Sequence, residues 1–280
     1  MTGKPLFDSV SFDCSKLTTH AYSTSFSLGI RTLGKEIRNP IYAIYGFVRF
    51  ADEIVDTFHD FEKHELMERF RRDTVLAIEE RISLNPILNA FQHTYHKYNL
   101  EWELVDTFLK SMEMDLHQIE HDQDSYETYI LGSAEVVGLM CLHVFVNGEQ
   151  SEYEKLKPSA MKLGAAFQKI NFLRDLNADY NALGRVYFPN VDMTKFDESA
   201  KQTIEEEIKE DFRLAYIGVL QLPKEARFGV LIAFKYYYKL FLKIQALPCE
   251  RILKERIRVA NPKKIALLAK TYLQHNLNLL

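Results

Sequence analysis

Two aspartate pairs share one internal spacing. Asp52 and Asp56 lie in AIYGFVRFADEIVDTF (43–58), Asp175 and Asp179 in AAFQKINFLRDLNADY (165–180). Four residues is about one helical turn, so each pair projects its carboxylates from one face of a helix. In the first segment Tyr45, Arg49, Asp52 and Asp56 step by four, three and four, and Ile44, Phe47, Val48, Phe50, Ala51, Ile54 and Val55 surround that stripe. In the second, Gln168, Asn171, Asp175 and Asp179 step by three, four and four, with Arg174 beside them and Ala165, Ala166, Phe167, Ile170, Phe172, Leu173 and Leu176 on the other sides. A helix that is apolar around most of its circumference is buried, so each polar stripe is expected to face an internal cavity. Carboxylates gathered in an apolar interior need a cation. Mg2+ takes oxygen ligands, commonly one or two carboxylates completed by waters and substrate phosphates, and the arginine fork suits phosphate. Together these groups could hold the diphosphate of an ester with a long hydrocarbon tail and polarise it as a leaving group. Two blander readings use the same residues. A lone DxxxD is commonly a solvated face, and Arg49, three residues before Asp52, could neutralise the acids in a structural network without metal.

The elements that must position these stripes are helices. Gly (11) and Pro (8) are scarce in 280 residues, and helical periodicity recurs along the chain. It predicts helices over 13–30, from Pro40 to about Thr57, and over 62–82, 86–98, 101–121, 124–146, 151–181, 197–220, 223–246 and 261–278, with LGRVYFPN (183–190) as a loop. No linker and no solenoid repeat divides the sequence, so an all-α fold in a single domain, 1–280, is expected.

Composition narrows the function classes. A hydrophobic content of 47% supplies a large core, and a net charge of −4 with mixed signs calls for no nucleic-acid partner. Cys14, Cys141 and Cys249 are far apart, which fits a reducing cytosol rather than a disulfide framework or a zinc site. No signal peptide and no run of about 18 apolar residues is found, so no transmembrane helix is expected. His93/His96 and His117/His121 sit in polar surroundings and read as solvated faces, Met112 and Met114 as packing, and Asp115 as a surface or capping acid, with an approach to the cavity as its alternative. The basic stretch 250–264 fits an ordinary amphipathic segment, attraction to anionic lipid, or a reach of Arg256 or Lys264 toward diphosphate.

FVRFADEIVD (47–56) and QKINFLRDLNAD (168–179) resemble the two aspartate-rich motifs of the squalene/phytoene synthase family. STSF (23–26), YILGSAEVVGLM (129–140) and GRVYFP (184–189) resemble further signatures in the expected order, so the likeness runs over roughly residues 15–270. The resemblance implies an isoprenoid-synthase helical bundle around a central cavity, and head-to-head (1′-1) condensation of two prenyl diphosphates through a cyclopropylcarbinyl diphosphate. It implies that Asp52, Asp56, Asp175 and Asp179 bind Mg2+, for which Mn2+ can substitute; squalene formation needs a reductant, whereas the phytoene reading below expects no NADPH. Gln168 and Asn171 would line the reacting centre and help bind metal or diphosphate. Arg49 and Arg174 would contact diphosphate with Ser23 and Ser25, while Arg185 and Tyr187 would close its pocket from the loop. Tyr45 and Tyr236 would serve in catalysis, and with Phe26 and Phe172 they are candidates to stabilise cations. Two positions depart from the pattern: Leu131 and Glu135 stand where an aromatic and a small residue are usual, Glu135 being either a packing or a pocket-wall change. The chain ends at Leu280 without the C-terminal anchor typical of eukaryotic squalene synthases, which turns the reading to bacterial phytoene synthase and two geranylgeranyl diphosphates, the first step of C40 carotenoid synthesis. The alternatives are a C30 synthase using farnesyl diphosphate (dehydrosqualene, hydroxysqualene or squalene) and a non-catalytic helical assembly or scaffold protein. Expected partners are prenyl diphosphates, downstream carotenoid enzymes and, at the periphery, the inner face of the membrane of a cytoplasmic location.

Overall fold

A computed structural model describes residues 2–117, 122–178, 187–189, 196–258 and 271. Among these there is no strand. The helices are α1 (Lys4–Tyr22), α2 (Thr24–Arg31), α3 (Lys35–Asp56), α4 (Lys63–Glu80), α5 (Pro86–Lys97), α6 (Trp102–Met114), α7 (Gln123–Ile130), α8 (Val136–Phe145), α9 (Gln150–Ala178), α10 (Glu198–Gln221), α11 (Lys224–Gln245) and the single turn α12 (Cys249–Ile252). The predicted helix 261–278 and most of the loop 183–190 lie outside the described residues.

Several starts follow from caps. Asn85, Asp122 and Asp197 each accept a backbone N–H of the first turn, from Ile87 at 3.0 Å, Ser125 at 2.9 Å and Ala200 at 2.9 Å. The same chemistry corrects the helix expected over 13–30. Ser23 is extended (φ −143, ψ 109) and its hydroxyl accepts the Phe26 N–H at 3.1 Å, so α1 ends and α2 begins there. Pro40 does not open α3: the helix starts five residues earlier and carries the proline inside, where one backbone bond is lost and tertiary packing outweighs it.

α3 is held by the face opposite its polar stripe. Phe47, fully buried, stacks on Phe91 at 3.9 Å and meets Phe70 at 5.4 Å and Phe108 at 5.5 Å. α9 is held by charge. Lys169 reaches Asp211 at 2.9 Å and Glu207 at 3.1 Å on α10, and Lys162 reaches Asp211 at 3.2 Å. Asp211 is only 4% exposed, which pairing with two lysines permits.

Between α7 and α8 runs a π-helical turn, Leu131–Glu135. Burial raises the pKa of the Glu135 carboxyl, with Lys162 and Lys169 opposing and Asp211 adding to the shift. Glu135 therefore belongs to the α9–α10 charge network. It does not line the cavity, so its departure from the family pattern is a packing change. The run Gln123–Phe145 does have the length and apolarity of a bilayer-spanning helix, contrary to expectation; half of its apolar window is buried inside the bundle.

Gly164 of α9 lets the backbone pass close to this turn: a Cβ there would lie 2.7 Å from the Ala134 carbonyl oxygen. In an open helix Gly→Ala stabilises by about 1 kcal/mol. Here the backbone clash reverses the sign, and Gly164→Ala should cost about 1–3 kcal/mol, a fall of several degrees in Tm by thermal unfolding. A Tm equal to or above that of the wild type would sink this account of the contact.

Candidate active site

α2, α3, α8, α9, α10 and α11 line a cavity of about 650 Å3. Among the described residues seven charged ones line it: Arg49, Asp52, Asp56, Asp115, Arg174, Asp175 and Arg256. The rest of the described lining is uncharged and largely apolar, with Ile30, Leu33, Phe145, Leu156, Val219 and Leu222 among it.

The first wall is the polar stripe of α3. Arg49 bonds Glu53, lies 3.8 Å from Asp52 and rests its guanidinium 4.4 Å above the Tyr22 ring. Its main partner is thus Glu53, one turn on, rather than Asp52. Burial in the site, reinforced by the nearby charges of Asp56 and Asp115 and opposed by Arg49, lifts the Asp52 carboxyl to about 7. The Asp52 side chain keeps 31% of its surface open, and Asp56 is exposed, so the stripe runs from the interior to an open mouth instead of being enclosed throughout. Burial likewise pushes the Tyr45 hydroxyl up to about 12, with Ser23 within hydrogen-bonding reach.

The second wall is the stripe of α9. Arg174 donates to both oxygens of Asp175, at 3.0 and 2.5 Å. Tyr237 of α11 donates to the Asn171 side-chain oxygen at 3.3 Å and stacks on Phe167 at 3.9 Å. Gln168, Ser23, Ser25, Phe26, Phe172 and Tyr236 also line the cavity. Tyr187, expected over the diphosphate pocket, is buried, stacked on Phe172 at 4.1 Å and 5.3 Å from Tyr129. Asp179 and Arg185 lie outside the described residues.

Three lining residues stood outside the predicted catalytic and binding set, Asp115 and Arg256 having been weighed only as alternatives. Asp115, taken for a surface or capping acid, does follow the last turn of α6 but is 8% exposed and accepts the Tyr129 hydroxyl at 2.7 Å. Tyr237 joins Tyr236 on the lining, while Tyr238 is on the surface. Arg256 bonds Asp175 at 2.7 Å from a segment far along the chain. The buried arrangement of α3 and α9 carried a periodic signal; these three depend on tertiary contact. Elsewhere Glu198, Cys249 and Glu250 gather their donor atoms within 4.8 Å. Glu198 there accepts the Cys249 N–H at 2.7 Å, which is how α12 begins, and among the described residues no further His, Cys, Asp or Glu joins the group.

The sequence pattern of the squalene/phytoene synthase family matches residues 19–263. The chain is 30% identical over 192 residues to 4,4'-diapophytoene synthase of Staphylococcus haemolyticus (66% of this chain, 64% of that protein) and 28% identical over 172 residues to presqualene diphosphate synthase of Rhodopseudomonas palustris (61% and 60%). These matches span less than two thirds of the relatives' own length. Phytoene synthase of Arthrospira platensis is 25% identical over 268 residues, 86% of each chain. In fold, a dehydrosqualene synthase solved with a ligand superposes with a TM-score of 0.81 at 20% identity, over 96% of this chain and 98% of that one. A motif-ordered match over most of the sequence, carried by an all-α bundle with the aspartate stripes on its cavity, places this chain in the squalene/phytoene synthase family.

Proposed function

We propose that this chain is a Mg2+-dependent prenyltransferase that joins two geranylgeranyl diphosphates head to head to give phytoene. The observation that carries the reaction class is the convergence of Asp52 and Asp56 on α3 and Asp175 on α9, each helix with its arginine, on one cavity whose other charged lining among the described residues is Asp115 and Arg256. The donor set fits a hard divalent ion. Asp52, Asp56, Asp175 and the Asn171 oxygen would hold it; burial first, and then the surplus charge of Asp56 and Asp115, raises Asp52 to about 7, a cost that such an ion would relieve. When bound, the ion offsets the charge developing on departing diphosphate.

The chain's own residues do the rest. Arg49 and Arg174 orient diphosphate through paired donors, with the Ser23 and Ser25 hydroxyls and the Gln168 amide beside them. The C1–O bond of one substrate breaks and its electron pair leaves with the diphosphate. The double bond of the second substrate attacks the allylic cation, and loss of a proton closes the cyclopropylcarbinyl diphosphate. Departure of the second diphosphate, rearrangement and loss of one more proton give the hydrocarbon, and no hydride donor is consumed. Phe26, Tyr45, Phe172 and Tyr236 offer ring faces to the cations, and the uncharged wall keeps water from quenching them.

The C20 substrate is supported by the length of the match to phytoene synthase. The higher identity to 4,4'-diapophytoene synthase favours a second reading, a C15 substrate and a C30 product. Incubation with Mg2+ and either geranylgeranyl or farnesyl diphosphate, followed by mass analysis of the extract, separates them. A C40 hydrocarbon is expected, a C30 product transfers the assignment to farnesyl diphosphate, and turnover of neither defeats the enzyme reading. Asp52→Asn and Asp175→Asn should each lower kcat by about a hundredfold or more with an unchanged far-UV CD spectrum; near-normal rates would remove the metal assignment.

The Asp52 shift also sets a pH signature in metal-free protein. Its folded value of about 7 stands above the ordinary 3.8, so the folded state binds the extra proton. Stability from this group is full below about pH 4, falls as pH rises, and is lost above about pH 7. Asp52→Asn should therefore melt higher than wild type at pH 8, with the gap closing toward pH 4. Parallel Tm curves for the two proteins across that range would contradict the charge-surplus account.

A further inference from the structure

Asp175 has four short contacts before any ligand arrives. Arg174 takes both oxygens, at 3.0 and 2.5 Å, and Arg256 takes them again, at 2.7 and 3.2 Å. A carboxylate offers about four lone-pair sites, so two guanidinium forks leave none for an ion. The two arginines differ in freedom. Arg174 is adjacent on α9 with a side chain 21% exposed, whereas Arg256 follows α12 and is 49% exposed. The backbone around Arg256 is fixed on both sides. The Asn177 amide donates to the Leu253 carbonyl at 2.5 Å and Lys243 donates to the Arg258 carbonyl at 2.7 Å.

We infer that Arg256 is a built-in counter-cation: it occupies on Asp175 the place a divalent ion takes, and ion entry transfers its guanidinium to the incoming diphosphate. This rests on the metal-site reading above. Arg256 is the arginine that leaves, being the more exposed and the one not fixed on α9. Its anchored backbone keeps the released charge at the cavity, where a diphosphate enters. Ion binding alone must break the Arg256 pair with no return. Diphosphate captures the freed guanidinium, so ion and diphosphate strengthen each other's binding.

The test needs no turnover. Mn2+ is titrated calorimetrically into the full chain, with and without inorganic diphosphate, for wild type, Arg256→Gln and Arg256→Lys, with far-UV CD on each. A partly exposed ion pair is worth about 0.2–1 kcal/mol, so Arg256→Gln should bind Mn2+ alone up to about fivefold more tightly. The same variant should lose a comparable part of the gain that diphosphate gives. Arg256→Lys, which keeps the charge but not the fork, should fall between. Chelation of Mn2+ by diphosphate in solution is common to all three proteins and cancels in the ratios. If Arg256→Gln binds Mn2+ alone no more tightly than wild type, or keeps the full diphosphate gain, the exchange is overturned while the metal site stands. If wild type binds no Mn2+ under either condition, the metal reading and the exchange fall together.

Discussion

Carboxylates gathered on a largely apolar cavity repel one another and are only partly screened by water at its mouth, and the rest of this structure is arranged around that cost. On the α3 wall Asp52 and Asp56 are near Asp115, and Arg49 spends its closest contact on Glu53. Burial, with Asp56 and Asp115 nearby, lifts the Asp52 carboxyl to about 7. On the α9 wall Asp175 is held by two arginines. The two walls thus carry their acids differently, one raised by burial and neighbouring acids and the other paired with guanidinium groups. In the proposed reading a divalent ion with its diphosphate would serve both walls.

Such a charge distribution survives only if the two helices cannot rotate. α3 is pinned by the Phe47 stack on the side away from its acids, an apolar contact that fixes the orientation of Tyr45, Arg49, Asp52 and Asp56. α9 is pinned by Lys162 and Lys169 on Asp211, a buried ionic contact. Directional pairing suits α9, because its neighbour α10 offers acids where α4, α5 and α6 offer α3 rings. Gly164 lets α9 pass close to the turn at Ala134, so the cavity wall there is backbone and small side chains.

The readable part of the sequence was the part governed by local period. Asp52, Asp56 and Asp175 fall on the helices where spacing put them, and α4, α5, α10 and α11 start and end within a residue or two of their predicted bounds because Pro86, Asp197 and the apolar periodicity are local signals. Ser23 was legible only as a family serine, although its capping role is what divides α1 from α2. Pro40 was misleading, because a proline in a well-packed helix costs less than the packing returns. Asp115 and Arg256 were weighed and set aside for a different reason: each matters through a partner distant in sequence, Tyr129 and Asp175. Charge pairing across the fold has no period to read.

Glu135 shows how a departure from the family pattern is absorbed. A glutamate on the cavity lining would add a fifth acid to Asp52, Asp56, Asp115 and Asp175, which line it among the described residues. The π-helical turn Leu131–Glu135 spreads one helical turn over an extra residue and changes which side chains face inward. Ser133, Ala134, Val137 and Gly138 line the cavity, and Glu135 falls among Lys162, Lys169 and Asp211 instead. Those lysines already hold α9 against α10, so the glutamate enters an existing network rather than needing a new one. The cavity thereby gains no charge from this turn, whose lining side chains are small or apolar.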